Sequence, residues 1–146
     1  VGGGLVNLKV AGEAVTAEPV YLVRDLPNTN GGSVLVGDTL YGTNAKGLVA
    51  AEFLTGKLLW QAESIGAGST FYADGHLYIH GHDGDVALVE AMPEAYREKG
   101  RFTPPGQPKD RSARGEKAWA YPVVAGGRLY IRDLGMLWCY DVRASR

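Results

Sequence analysis

The stretch Ala50-Ala51-Glu52-Phe53-Leu54-Thr55-Gly56-Lys57-Leu58-Leu59-Trp60 decides the fold, because the rest of the chain repeats, varies or connects it. Leu48, Val49 and Phe53 are apolar on one side of Thr55-Gly56-Lys57, and Leu58 to Trp60 are apolar on the other. A glycine within a three-residue connection supplies the positive φ that such turns need, so the stretch predicts a hairpin closed by Trp60.

The same grammar recurs on either side. Ahead of the hairpin, residues 33–36 predict a strand, Gly37-Asp38 a two-residue turn, 39–43 a second strand and 44–47 another turn. With the hairpin this makes one four-stranded unit. A second unit starts at Ser69, with strands at 70–73, 76–80 and 86–90, turns at Asp74-Gly75 and His82-Asp83-Gly84, and a last strand near 96–102. A third has strands at 123–125, 128–132 and 136–141, with turns at Gly126-Gly127 and Leu134-Gly135, and no fourth strand follows. Leu40-Tyr41 returns 37 residues later as Leu77-Tyr78 and, after a further 52, as Leu129-Tyr130. Gly47 returns as Gly84, Glu52 as Glu90, and Ala50-Ala51-Glu52 as Cys139-Tyr140-Asp141. Units of four strands repeating about every 40 residues are what propeller blades require.

Before the first full unit, residues 5–8 and 15–23 read as a degenerate hairpin joined at Ala11-Gly12-Glu13, and the breaker-rich run 24–32 reads as a loop. The spacing between the second and third units is widened by residues 93–117, rich in proline and charge, which predict an exposed insertion and a candidate interaction surface.

The order alanine, acid two residues on, Thr-Gly-Lys, then tryptophan resembles the tryptophan-docking repeat of the PQQ-like β-propellers. Ala50, Glu52, Thr55, Gly56, Lys57 and Trp60 occupy its positions without a gap, although the usual acid is aspartate. The resemblance runs from the Gly2 cluster to Asp141, with the complete signature in one unit. The chain is similar to bacterial PQQ-like repeat proteins related in fold to the quinoprotein alcohol dehydrogenases and to the outer-membrane assembly lipoprotein B. The resemblance implies that each such hairpin forms the outer two strands of a blade, that the tryptophan packs on the neighbouring blade, and that the protein is periplasmic or otherwise extracytoplasmic. The expected architecture is all-β, a β-propeller portion of about three four-stranded blades plus a partial one. Residues 1–32 are a partial blade and loop, 33–68 a blade, 69–118 a blade with its insertion, and 119–146 a C-terminal blade lacking its last strand. A β-sandwich is the alternative; it accommodates many short strands but does not explain their in-register return.

Composition narrows the function classes. A net charge of -1 with interspersed acids and bases leaves no footprint for nucleic acid or an anionic membrane. Cys139 is the single cysteine, so no internal disulfide forms, and its apolar strand setting predicts a buried small residue. No apolar run is long enough for a transmembrane segment, and no leader pattern is present.

Few residues are candidates for chemistry. His76, His80 and His82 are close enough in sequence to suggest a metal, but His82 falls in a turn and His76 replaces Thr39 and Arg128 of the other units, which favours structural roles. Asp83-Gly84-Asp85 offers calcium-type oxygens around a tight turn, yet the other units keep the glycine without the acid pair, which favours a turn. The glycines at 2–4 and 66–68 lack the phosphate-loop lysine and the dinucleotide fingerprint and read as turns. Trp119, Trp138, Tyr41, Tyr78 and Tyr130 read as packing, the tyrosines at matched blade interfaces.

Two functions follow. The favoured one is a non-catalytic scaffold or binding module with no catalytic residues and no cofactor. The alternative is a fragment of a PQQ-dependent alcohol or sugar dehydrogenase, with PQQ and calcium. The resemblance implies that catalytic members surround PQQ with a vicinal disulfide, a tryptophan floor and an aspartate; one cysteine rules out the first, and no residue matches the others. Three units and a partial hairpin are too few to close a ring, so the expected partner is a protein: further blades of a longer chain, or a second copy completing a homodimer.

Overall fold

The computed structural model describes residues 2–108 and 117–144, and every regular element among them is a strand. In chain order these are β1 (Gly3–Ala11), β2 (Ala14–Val23), β3 (Ser33–Val36), β4 (Thr39–Asn44), β5 (Gly47–Glu52), β6 (Leu58–Ala62), β7 (Gly68–Ala73), β8 (His76–Gly81), β9 (Val86–Glu90), β10 (Glu98–Phe102), β11 (Val123–Ala125), β12 (Arg128–Asp133) and β13 (Met136–Asp141). They form antiparallel meanders in strict sequence order: β1-β2, β3-β4-β5-β6, β7-β8-β9-β10 and β11-β12-β13. The fold is all-β and propeller-like. Four sheets in series replace the two facing sheets that a sandwich would need.

Turn chemistry explains the meanders. Asp74 and Gly75 have φ of 48° and 73°, and Gly126 and Gly127 have 58° and 72°, the paired left-handed residues that match the twist of a tight hairpin. The register repeats to the single bond. The N–H of Phe53 donates to Asp38 O at 2.9 Å, that of Ala91 to Gly75 O at 2.9 Å, and that of Val142 to Gly127 O at 3.0 Å.

The sheets stack face to face, and their central strands are buried on both sides, which is why β5 and β9 read as continuous apolar runs rather than alternating ones. Tyr41, Leu48 and Ala50 from one four-stranded sheet meet Leu77, Ile79, Ala87 and Val89 from the next. Val86 meets Leu129 and Ile131 of the three-stranded sheet, with Tyr78 and Val124 alongside. On the other flank Leu26, Val49 and Ala51 pack with Tyr21 and Val23 of the first hairpin.

Several local expectations are corrected. The glycines at 2–4 lead into and begin β1 instead of forming a turn: a Cβ on Gly2 would lie 2.4 Å from Val23 O, and one on Gly3 would lie 2.9 Å from Leu26 Cβ, so the backbone approaches too closely for any side chain. The glycines at 66–68 divide between a turn, with Gly66 at φ 73°, and the start of β7. Cys139 is exposed: it lies on the edge strand β13, with the Arg128 guanidinium 4.0 Å from its sulfur. The last strand of the second unit is shorter than expected, beginning at Glu98. Of the insertion, residues 109–116 lie outside the described residues; the part up to Pro108 folds back, with Pro105 O accepting from Trp138 Nε1 at 2.9 Å.

Candidate functional site

The six motif residues are assembled at the outer edge of the first four-stranded sheet. Ala50 is buried on β5 and pairs in register with Trp60 on β6. The connection between them is five residues, 53–57, rather than three, since the ladder resumes only at Leu58. Glu52 organises it from both ends. Its N–H donates to Lys57 O at 2.9 Å, its carbonyl accepts from the Gly56 N–H at 2.9 Å, and its carboxylate accepts from the Thr55 hydroxyl. The Lys57 N–H in turn donates to Thr55 Oγ1 at 3.2 Å. Gly56 has φ 70°, and a Cβ there would lie 2.8 Å from the Tyr21 ring, so glycine is required by conformation and by space. Tyr21 also donates its hydroxyl to Phe53 O at 2.7 Å, tying the first hairpin to this turn.

Trp60 reaches across to the next sheet. Its ring centroid lies 6.0 Å from Tyr41 and 5.9 Å from Tyr96, the latter edge to face, and its Nε1–H donates to Met92 O at 3.0 Å. An indole here buries area and satisfies its one polar group at the same time. Burial raises the Tyr41 phenol above its ordinary value, and burial together with the neighbouring Glu98 raises Tyr96. Glu98 accepts from Arg101 Nε at 2.9 Å and Nη2 at 2.8 Å, and Arg101 Nη2 also donates to Ser64 O at 2.9 Å. The Arg101 guanidinium holds the Glu98 carboxyl below the usual range, and Glu98 raises Arg101 in return.

A second set of contacts joins the sheets at the opposite ends of β4 and β8. Thr43 Oγ1 donates to Gly68 O at 2.7 Å and accepts from the Gly68 N–H at 3.0 Å. His80, fully buried, donates from Nδ1 to Ala120 O at 3.1 Å, beside Ser69 Oγ donating to Trp119 O at 2.9 Å. Thr43 and His80 stand two residues past Tyr41 and Tyr78, so they are the same position in successive sheets. The sequence carried a signal for this pair in the 37-residue shift, but their backbone acceptors lie 25 and 40 residues away.

The histidines do not converge. His76 Nδ1 donates to Asp74 O at 2.7 Å, His80 points into the sheet interface, and His82 lies 3.3 Å from Asp83 and edge-on to Trp119. Asp83 and Asp85 also separate: Lys117 Nζ is 2.6 Å from Asp83, while Thr103 Oγ1 donates to Asp85 at 2.6 Å. No group of three or more metal-type side chains assembles among the described residues.

Between the second four-stranded sheet and the three-stranded one lies a cavity of about 290 Å3, its walls almost wholly carbon. Tyr78, Leu88, Gly100, Phe102, Leu129 and Val142 contribute to its lining. The unit-by-unit sequence reading missed it; the available signal was a second unit whose fourth strand has no tryptophan.

No helix among the described residues is long and apolar enough to cross a membrane. No protein-family model matches the chain, and no curated protein sequence does. Among solved structures, the chain is similar to the crystal structure of BamB from Moraxella catarrhalis, with a TM-score of 0.60 and 13% sequence identity. That likeness covers 90% of this chain and 41% of that one, so the chain spans about two fifths of the length of the structure it matches. At this identity the likeness is one of fold, that of a β-propeller.

Proposed function

We propose that this chain is a non-catalytic PQQ-like β-propeller module that serves as an extracytoplasmic scaffold or protein-binding surface. One observation carries the reading. Trp60 and the turn built on Glu52 are engaged in joining one sheet to the next, and the histidines and aspartates that might have done chemistry are tied to separate local partners. The likeness in fold to BamB supports the propeller context. In this reading the module carries no PQQ or calcium of its own, and its partners are proteins: further blades or a second copy.

The test is dye-linked turnover. The protein, supplied with PQQ, calcium and a panel of alcohols and sugars, is expected to reduce a redox dye no faster than the cofactor alone. Saturable, substrate-dependent reduction overturns the proposal in favour of a quinoprotein dehydrogenase fragment.

A further inference from the structure

The two four-stranded sheets align residue by residue. Tyr41 pairs with Ala50 and Ala50 with Trp60; Tyr78 pairs with Leu88 and Leu88 with Gly100. Both outer strands carry the same irregularity. Leu59 is skipped between the pairs Ala51↔Leu58 and Ala50↔Trp60, and Lys99 is skipped between Val89↔Glu98 and Leu88↔Gly100. Gly100 therefore occupies the position of Trp60 one sheet further on. A Cβ at Gly100 would meet nothing within 4 Å.

The surroundings of the missing ring persist. Tyr78 replaces Tyr41, which touches Trp60, and Leu129 replaces Leu77, a member of the cluster on which Trp60 packs. Val142 follows Asp141 as Ala91 follows Glu90, with the same backbone bond to the facing turn. The cavity of about 290 Å3 lies at this place and is lined by Tyr78, Leu88, Gly100, Leu129 and Val142. Leu88, larger than Ala50, fills part of the difference, and Tyr96 has no counterpart among the described residues. Residues 109–116 and 145–146, outside the described residues, contain no aromatic side chain.

We propose that the cavity over Gly100 is a binding site for a small planar aromatic compound of indole size. An enclosed apolar cavity of roughly 150 Å3 takes up benzene; this one is larger, apolar-walled and open to solvent on one side, so a bicyclic ring can enter it. Its volume approaches the roughly 300 Å3 at which small-molecule sites begin. A free ring is favoured over a partner's tryptophan, because β10 already runs hydrogen-bonded along β9 where the chain delivering that side chain would have to pass. The site is independent of the scaffold reading; redox activity or its absence leaves it standing.

Free indole is the probe. Isothermal titration of the whole chain is expected to give saturable one-to-one binding, with NMR methyl shifts confined to the lining residues Val86, Ala87, Leu88, Leu129 and Val142. Gly100→Trp, which returns the ring covalently, is expected to weaken indole binding at least tenfold while raising the melting temperature; Gly100→Phe serves as the blocking variant if the tryptophan does not fold. Absence of saturable binding to the parent chain, or undiminished binding to a folded blocked variant, overturns the proposal. Binding of a tryptophan-containing peptide without binding of indole also overturns it, and assigns the slot to a protein partner.

Discussion

At the scale of the residue, Trp60 joins the sheets through both its ring and its N–H. Removing its ring leaves a hole between Tyr41 and Tyr96 and leaves Met92 O without its donor. Truncating a fully buried aromatic costs about 3 kcal/mol or more, and the half-buried Trp60 should cost about 2 kcal/mol. Trp60→Ala is therefore expected to lower the urea midpoint sharply with the slope unchanged, whereas Trp119→Ala, whose ring lies edge-on to His82 at 5.9 Å, should cost less. How much of this was legible varies with the reach of each contact. The hairpin at Ala50 to Trp60 is local, and its two strands and turn glycine were readable, although its connection is five residues rather than three. His80 was not: a structural role was readable, but its partner, the carbonyl of Ala120, lies 40 residues on. Cys139 was misread for the opposite reason. Its apolar neighbours predict burial, but burial needs a covering sheet, and none of the described residues provides one.

At the scale of the element, strands and their turns were readable because each hairpin is set by two or three residues and the repeat shows each turn several times over. The outer strand β10 was the hardest to place. It lacks the tryptophan that marks β6; it pairs with β9 through the backbone, Glu98 and Arg101 pair with each other along it, and Arg101 reaches out to Ser64 O. The ion pair has a pH signature. Because the folded Glu98 carboxyl is depressed, its contribution is present above the unfolded carboxylate value of about 4.3 and is lost as pH falls through the lower folded value. Arg101 is solvent-exposed and screened, so the effect is a fraction of 1 kcal/mol. Unfolding curves measured from pH 7 down to pH 3 should show a gentle acid loss that Glu98→Gln reduces and added salt flattens.

At the scale of the whole molecule, the open flanks matter most. The hairpin β1-β2 bears Leu8 at 68% and Leu22 at 82% exposure, together with Val6, Val10 and Val15, and the far sheet exposes Leu137 at 68%. Extended apolar strands with free edges are templates for association. Light scattering on a size-exclusion column is expected to give a mass that rises above that of one chain with concentration. Leu8→Lys with Leu22→Glu should move it back towards the monomer without changing the β content seen by circular dichroism. A mass fixed at one chain at all concentrations would show that these faces need no partner.

The stitches from Thr43 to Gly68 and from His80 to Ala120 bind each sheet only to its neighbour, and that has a kinetic consequence. Such a molecule opens like a stack of cards, from its ends inward, with nearest-neighbour coupling deciding how far each opening spreads. Amide hydrogens of β8, clamped on both sides, should exchange with solvent deuterium only when everything lets go. Those of β1 and β2 should exchange orders of magnitude sooner, so that the order of exchange along the chain reads out the order of the sheets.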